Sequence, residues 1–186
     1  MKKIVLQIKH ENAKLLKINF NEILNENNYS AHITTNFKEN KIPTRIKFGL
    51  DIEIKGLESK LPCNICFNTR MGNPLIENKP GSFHWAPIFK NRNTNITLGN
   101  FSTIKKYKKD ANIEMNFYRM EDSLNVTKKL YIKANSEERF VINEHMDLKE
   151  FFCDEGWVTI KADNPYIKGY YFNIHKSGSV SGDHFF

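Results

Sequence analysis

Residues 111–118 read Ala-Asn-Ile-Glu-Met-Asn-Phe-Tyr, ANIEMNFY, and their alternation decides the fold class. Successive side chains of an extended strand point to opposite sides. Ala111, Ile113, Met115 and Phe117 therefore share one face, and Asn112, Glu114, Asn116 and Tyr118 the other. The stretch predicts a strand with one buried face. RIKFGLDIEI, Arg45 to Ile54, repeats the pattern with Ile46, Phe48, Leu50, Ile52 and Ile54 on one side. VTKKLYI, ERFVIN, GWVTIKA and YIKGYYFNI follow ANIEMNFY at spacings of about ten residues, which is the rhythm of a β-sandwich or barrel. The breaks between them, MEDSLN, KANSEE and KADNPY, are short and polar, and Asn164 before Pro165 favours a turn. Helix is expected only as a turn or two near Asn19 to Asn27 and near Asn143 to Phe152. The expected class is all-β: a mainly antiparallel β-sandwich with an N-terminal β-rich extension and one or two short helices.

The chain has 186 residues, enough to bury a real core, and its balance of 40% hydrophobic and 26% charged residues is that of a globular protein rather than a disordered one. The opening MKKIVLQIKHEN has a basic start, but Gln7 and Lys9 interrupt its apolar stretch, so it reads as a first strand and not as an export leader. No apolar run approaches the roughly 20 residues of a membrane helix. A cytoplasmic protein is expected, with its thiols reduced.

Cys63, Cys66 and Cys153 are the cysteines. Cys63-x-x-Cys66 has the spacing of half a tetrahedral zinc site, but no second pair accompanies it, and buried or edge-strand thiols are the favoured reading. The net charge of +7 is concentrated in the middle of the chain, where Lys105, Lys106, Lys108 and Lys109 surround Tyr107 in TIKKYKKDAN. Lysines interleaved with an aromatic can hold a phosphate backbone and stack a base. A solvated loop between strands is the plainer account, and nucleic-acid binding ranks third among the functional readings.

MGNPLIENKPGSFHWAPIF, Met71 to Phe89, holds three prolines and two glycines without clear periodicity, and so predicts a long loop. It separates an N-terminal β-rich portion, residues 1–80, from a sandwich of about seven strands over residues 83–186, and a core shared by the two is compatible with this division. In the second portion the order HWAPIF, NITLGNFS, NIEMNFYRMEDSL, YIKANSEERFVI and GWVTIKADNPYIKGYYF resembles the small bacterial β-sandwiches of the sensory rhodopsin transducer family. The resemblance covers about 100 residues of strand and turn pattern. It implies an oligomeric, non-enzymatic sandwich that binds a sugar or a partner protein, and it carries over no ligand residue.

Among side chains able to do chemistry, His175, Asp183 and His184 flank KSGSVSG. A hairpin there would bring them together as a divalent metal site or a general acid and base. Ordinary turn chemistry explains the same residues, since Gly178 and Gly182 supply unusual backbone angles and Asp183 can cap a turn. There is no nucleophile elbow, phosphate-cradling glycine loop or helical His-Glu pair, and the adjacent acids Asp154-Glu155 and Glu137-Glu138 point to opposite faces of a strand. The aromatics lead further. Trp157, Tyr170 and Tyr171 crowd the last strands, with His84 and Trp85 in the loop crossing near them. Tyr170 and Tyr171 cannot both face a core, and an outward Tyr or Trp beside polar side chains is how a sandwich holds a sugar ring. The alternative is that Trp157 fills the sandwich centre and the outward tyrosine covers a subunit contact. The expectation is a non-enzymatic binding or assembly module without a cofactor, with carbohydrate as the favoured ligand and a homo-oligomer as its form. A metal-dependent enzyme at the C-terminal hairpin is the alternative.

Overall fold

The computed structural model describes residues 48–52, 63–67, 78–102, 106–122, 124–177 and 179–185. The chain divides into two compact units, Met1–Ile42 and Pro43–Phe186, and every described residue belongs to the second. The helix expected near Asn19 to Asn27, the opening strand and Lys105 lie outside the described residues.

Strands β1 (Phe48–Ile52) and β2 (Cys63–Phe67) form an antiparallel pair. Cys63 stands opposite Ile52, and Cys66 opposite Gly49. Eight further strands make two four-stranded antiparallel sheets. They are β3 (Ser82–Phe89), β4 (Thr94–Asn100), β5 (Ala111–Arg119), β6 (Asn125–Ile132), β7 (Ser136–Val141), β8 (Glu155–Ala162), β9 (Ile167–Ile174) and β10 (Val180–His184). One sheet runs β3-β8-β5-β6 and the other β10-β9-β4-β7. Ala86, Ile88, Met115, Phe117, Val158 and Ile160 of the first sheet and Ile96, Leu98, Phe140 and Ile167 of the second join one buried cluster, which makes the pair of sheets a sandwich. Each fully buried Leu, Ile, Met or Phe contributes about 1.5–3 kcal/mol.

ANIEMNFY lies in β5, and the face expected to be buried is buried: Ala111 and Met115 and Phe117 are fully covered and Ile113 nearly so. The helical turn expected near Asn143 to Phe152 appears as a 3-10 turn, Ile142–Glu144, followed by α1, Met146–Phe151. It carries Leu148 and Phe152 into the core, where the Phe152 ring meets Phe117 edge-on at 6.3 Å.

The loop expected up to Phe89 is corrected over its last eight residues, which form β3. Ala86 and Ile88 alternate with exposed or half-buried neighbours, as a strand with one face in a core requires. Pro87 is compatible because β3 is an edge strand, where a residue without an N–H need not break a ladder. Among the described residues the two sheets thus hold eight strands, β3 being the one that the loop reading left out.

The end of the sandwich where β4 finishes is closed by a buried polar knot. Asn100 and Asn164 are fully buried. The Tyr107 hydroxyl donates to Asn100 Oδ1 (2.6 Å), and Asn164 Nδ2 donates to Tyr107 Oη (2.7 Å) and to the Lys109 carbonyl (3.0 Å). Asn164 Oδ1 accepts the Tyr166 N–H (2.9 Å), the Asx turn that the Asn-Pro pair predicts.

Candidate ligand-binding face

The outer face of the β3-β8-β5-β6 sheet is built from the residues that the core alternation leaves pointing outward. Strand register arranges them in rows. Pro87, Trp157, Tyr118 and Asn125 form one row, and Trp85, Thr159, Asn116 and Thr127 the next. Phe83, Lys161, Glu114 and Lys129 follow, and then Asn112 beside Tyr131. Trp85 is 43% exposed and Phe83 63%. The Trp157 and Tyr118 rings stack at 5.4 Å, 13° from parallel. Trp85 sits diagonally from Trp157 on the neighbouring strand, a spacing of about 7–8 Å.

Polar groups between the aromatics are held in defined positions. Thr127 Oγ1 donates to Asn116 Oδ1 (2.6 Å), and Asn116 Nδ2 donates to Glu114 Oε1 (3.1 Å). At the far end Asp163 accepts from the Asn112 backbone N–H (2.8 Å) and from its Nδ2 (2.7 Å). The Tyr131 hydroxyl donates to Asp110, which holds the Asp110 carboxyl below the usual carboxylate range and pushes the Tyr131 phenol up.

The five residues expected to share a ligand site separate. Only Trp85 and Trp157 lie on this face. The alternative that Trp157 fills the centre of the sandwich is corrected: its neighbours Gly156 and Val158 point inward, so parity turns the indole out, half-buried. His84 lies in β3 and not in a loop, on the inward side with Ala86 and Ile88, within hydrogen-bond distance of the Ile167 carbonyl (3.1 Å) and 6.0 Å from the Phe185 ring. Tyr171 pairs with Ile96 and packs against the core. Tyr170 points away from the core on the other sheet, near-parallel to Phe172 at 6.5 Å, and burial pushes its phenol up to about 12. Tyr118 and Asn116 were the residues that sequence reasoning missed, although the outward half of ANIEMNFY already pointed to them.

The C-terminal hairpin forms, but it does not assemble the expected metal or acid-base site. His175 closes the turn with its N–H on the Ser179 carbonyl (2.9 Å), whereas Asp183 stands opposite Tyr171 and His184 opposite Tyr170. Four residues of strand separate His175 from the Asp183 row, about 13 Å. Asp183 Oδ1 instead takes both the ring Nδ1 (2.7 Å) and the backbone N–H (2.7 Å) of adjacent His184. Among the described residues no three His, Cys, Asp or Glu side chains converge. Cys153 is an exposed thiol. In the lysine run Lys106, Lys108 and Lys109 are exposed, but Tyr107 is 8% exposed and tied into the polar knot. Its ring has no face to offer a base, which corrects the feature that suggested nucleic acid.

No family model matches the chain, and no curated protein matches it. Among solved structures, the Crystal Structure of Thermotoga maritima 1070 is similar with a TM-score of 0.44 and 13% identity, over 56% of this chain and 91% of that one. Among the described residues no helix is long and apolar enough to cross a membrane.

Proposed function

We propose that this chain is a non-enzymatic β-sandwich module that binds carbohydrate on the outer face of the β3-β8-β5-β6 sheet. One observation carries the reading: exposed Trp85 stands diagonally from the Trp157–Tyr118 stack, with the row Thr159, Asn116 and Thr127 running on from it. A pyranose ring presents a C–H surface that an aromatic face covers, and hydroxyls that amides and threonines meet. An open sheet face suits an extended glycan better than a single small sugar, because it covers only one side of each ring. The resemblance of residues 83–186 to the bacterial sensory rhodopsin transducer sandwiches supports the same class, an oligomeric bacterial binding module working in the cytoplasm.

Affinity electrophoresis and a glycan array with the full chain test this. Retention by at least one glycan is expected, weakened about tenfold or more in Trp85→Ala, with the thermal midpoint of the variant unchanged. Silence across the array, or equal retention of the variant, overturns the reading. If Trp85→Ala instead shifts the sedimentation coefficient, the face is a subunit contact.

A further inference from the structure

At one end of the sandwich, the 3-10 turn Lys90–Arg92, the β9–β10 turn and the segment leading into α1 surround two adjoining depressions of about 440 and about 570 Å³ that share His175. Lys90, Lys149 and Lys176 line the larger and Arg92 the smaller, and among the described residues no carboxylate lines either. Carboxylates ordinarily intersperse with lysines on a surface, so a concave region of one sign focuses the field on whatever enters it.

The smaller depression also has a polar wall built from below. Asn173 is 3% exposed, and its Oδ1 accepts the Thr94 hydroxyl at 2.6 Å, so Nδ2 is the end of the amide left to donate. His175 has a defined tautomer when neutral. Its Nδ1 accepts the Ser177 backbone N–H (3.2 Å) and lies 2.8 Å from Ser177 Oγ, which places the ring proton on Nε2. Arg92 is held with its guanidinium 4.9 Å from the centre of the Phe89 ring, an arrangement that leaves its N–H edge available for a bidentate acceptor. Donors therefore predominate: an amide N–H, an imidazole N–H, a guanidinium edge and the hydroxyl of Ser181, while the Ser177 hydroxyl donates to His175 Nδ1 and pairs with Ser179 Oγ (3.3 Å).

We propose that this end of the sandwich binds a tetrahedral oxyanion, phosphate or sulfate, carried as an ester on a small polar molecule. The oxyanion sits among Arg92, Asn173 Nδ2 and His175 Nε2, and the lysines of the adjoining depression supply long-range attraction. A volume of about 440 Å³ falls in the range of small-molecule sites and exceeds what one oxyanion fills, which is why an ester fits better than the bare ion. The site is separate from the glycan face and does not rest on it.

Isothermal titration of the full chain with inorganic phosphate, inorganic sulfate, glucose 6-phosphate and glucose tests this, with sodium chloride matched for ionic strength. Glucose 6-phosphate is expected to bind, inorganic phosphate or sulfate to compete with it, and glucose to give no heat. Arg92→Gln and Lys176→Gln, both at exposed positions, are each expected to weaken binding about tenfold, with thermal midpoints unchanged in buffer alone. Binding of phosphate alone assigns phosphate esters, and equal binding of sulfate assigns either oxyanion. An absence of binding, an equal response to chloride, or undiminished binding by the Arg92→Gln/Lys176→Gln double variant overturns the proposal.

Discussion

The indole of Trp157 lies flat against the ring of Tyr118, the centroids 5.4 Å apart and the planes 13° from parallel, on the solvent side of the sheet whose other side carries Phe117 and Val158 into the core. Such a stack contributes about 0.5–1.5 kcal/mol beyond its buried area. Trp157→Ala is therefore expected to lower stability by about 1–2 kcal/mol, and Trp85→Ala, exposed on the edge strand, by no more than about 0.5 kcal/mol. Urea midpoints at constant m-value check the order. The comparison also guards the binding test, because loss of glycan retention in Trp85→Ala is then not a folding defect.

The last strand is anchored by its aromatic end. Phe185 is 6% exposed, and its ring lies over Gly169, where an added Cβ would come within 2.2 Å of the ring and 2.1 Å of the Thr97 carbonyl oxygen. Phe185 N–H donates to the Gly169 carbonyl (3.1 Å). Phe185→Ala is expected to cost about 3–5 kcal/mol as a core truncation. Gly169→Ala is expected to cost about 1–3 kcal/mol through overpacking. If the ring must leave to admit the methyl group, the double variant will fall short of the sum of the two single costs, a result that denaturant midpoints of the three proteins establish.

Asn164 is the hub of the polar knot, reaching Asn100, Tyr107 and the carbonyls of Lys109 and Asp110. Asn164→Ala orphans several buried groups at once, each costing about 1–3 kcal/mol, and is expected to lower stability by about 3 kcal/mol. Tyr107→Phe removes one hydroxyl while Asn100 Oδ1 keeps Asn164 Nδ2, and is expected to cost about 1–1.5 kcal/mol. A larger loss for Tyr107→Phe than for Asn164→Ala in thermal denaturation would show that the tyrosine, and not the asparagine, organises this end.

Parity along one strand is a local property, which is why ANIEMNFY announced its buried face and why Tyr170 and Tyr171 had to part. The edge strand β3 was hidden because Pro80, Pro87 and Gly81 are the residues of loops, and only its place at the sheet edge makes Pro87 acceptable. The alternation of Phe83 and Trp85 with Ala86 and Ile88 was the signal available. Tyr107 looked like a base-stacking residue because its neighbours are lysines, while the partner that turns it inward, Asn164, is 57 residues away. Trp85, Trp157 and Tyr118 come from three strands, and register, which no single stretch encodes, decides that they meet. Register likewise keeps His175 from Asp183, since the turn closes at Ser179 and the remaining strand carries Asp183 away.

Tyr170 sets an alkaline limit on stability. Burial pushes its phenol from the ordinary value of 10.0 up to about 12, and burial is also the largest influence raising Tyr107. Between these values the folded chain keeps a proton that the unfolded chain has released. The unfolded state then binds fewer protons than the folded one, so stability falls as pH rises through this window. The contribution is fully present below pH 10.0 and is lost as pH approaches 12. Thermal midpoints measured from pH 8 to pH 12 are expected to fall less steeply above pH 10 in Tyr170→Phe than in the parent chain, because the variant has no phenol there to ionise. The two curves should run parallel below pH 10, offset only by whatever the hydroxyl contributes in its neutral form. Parallel curves over the whole range would instead mean that Tyr170 ionises alike in the folded and unfolded chains.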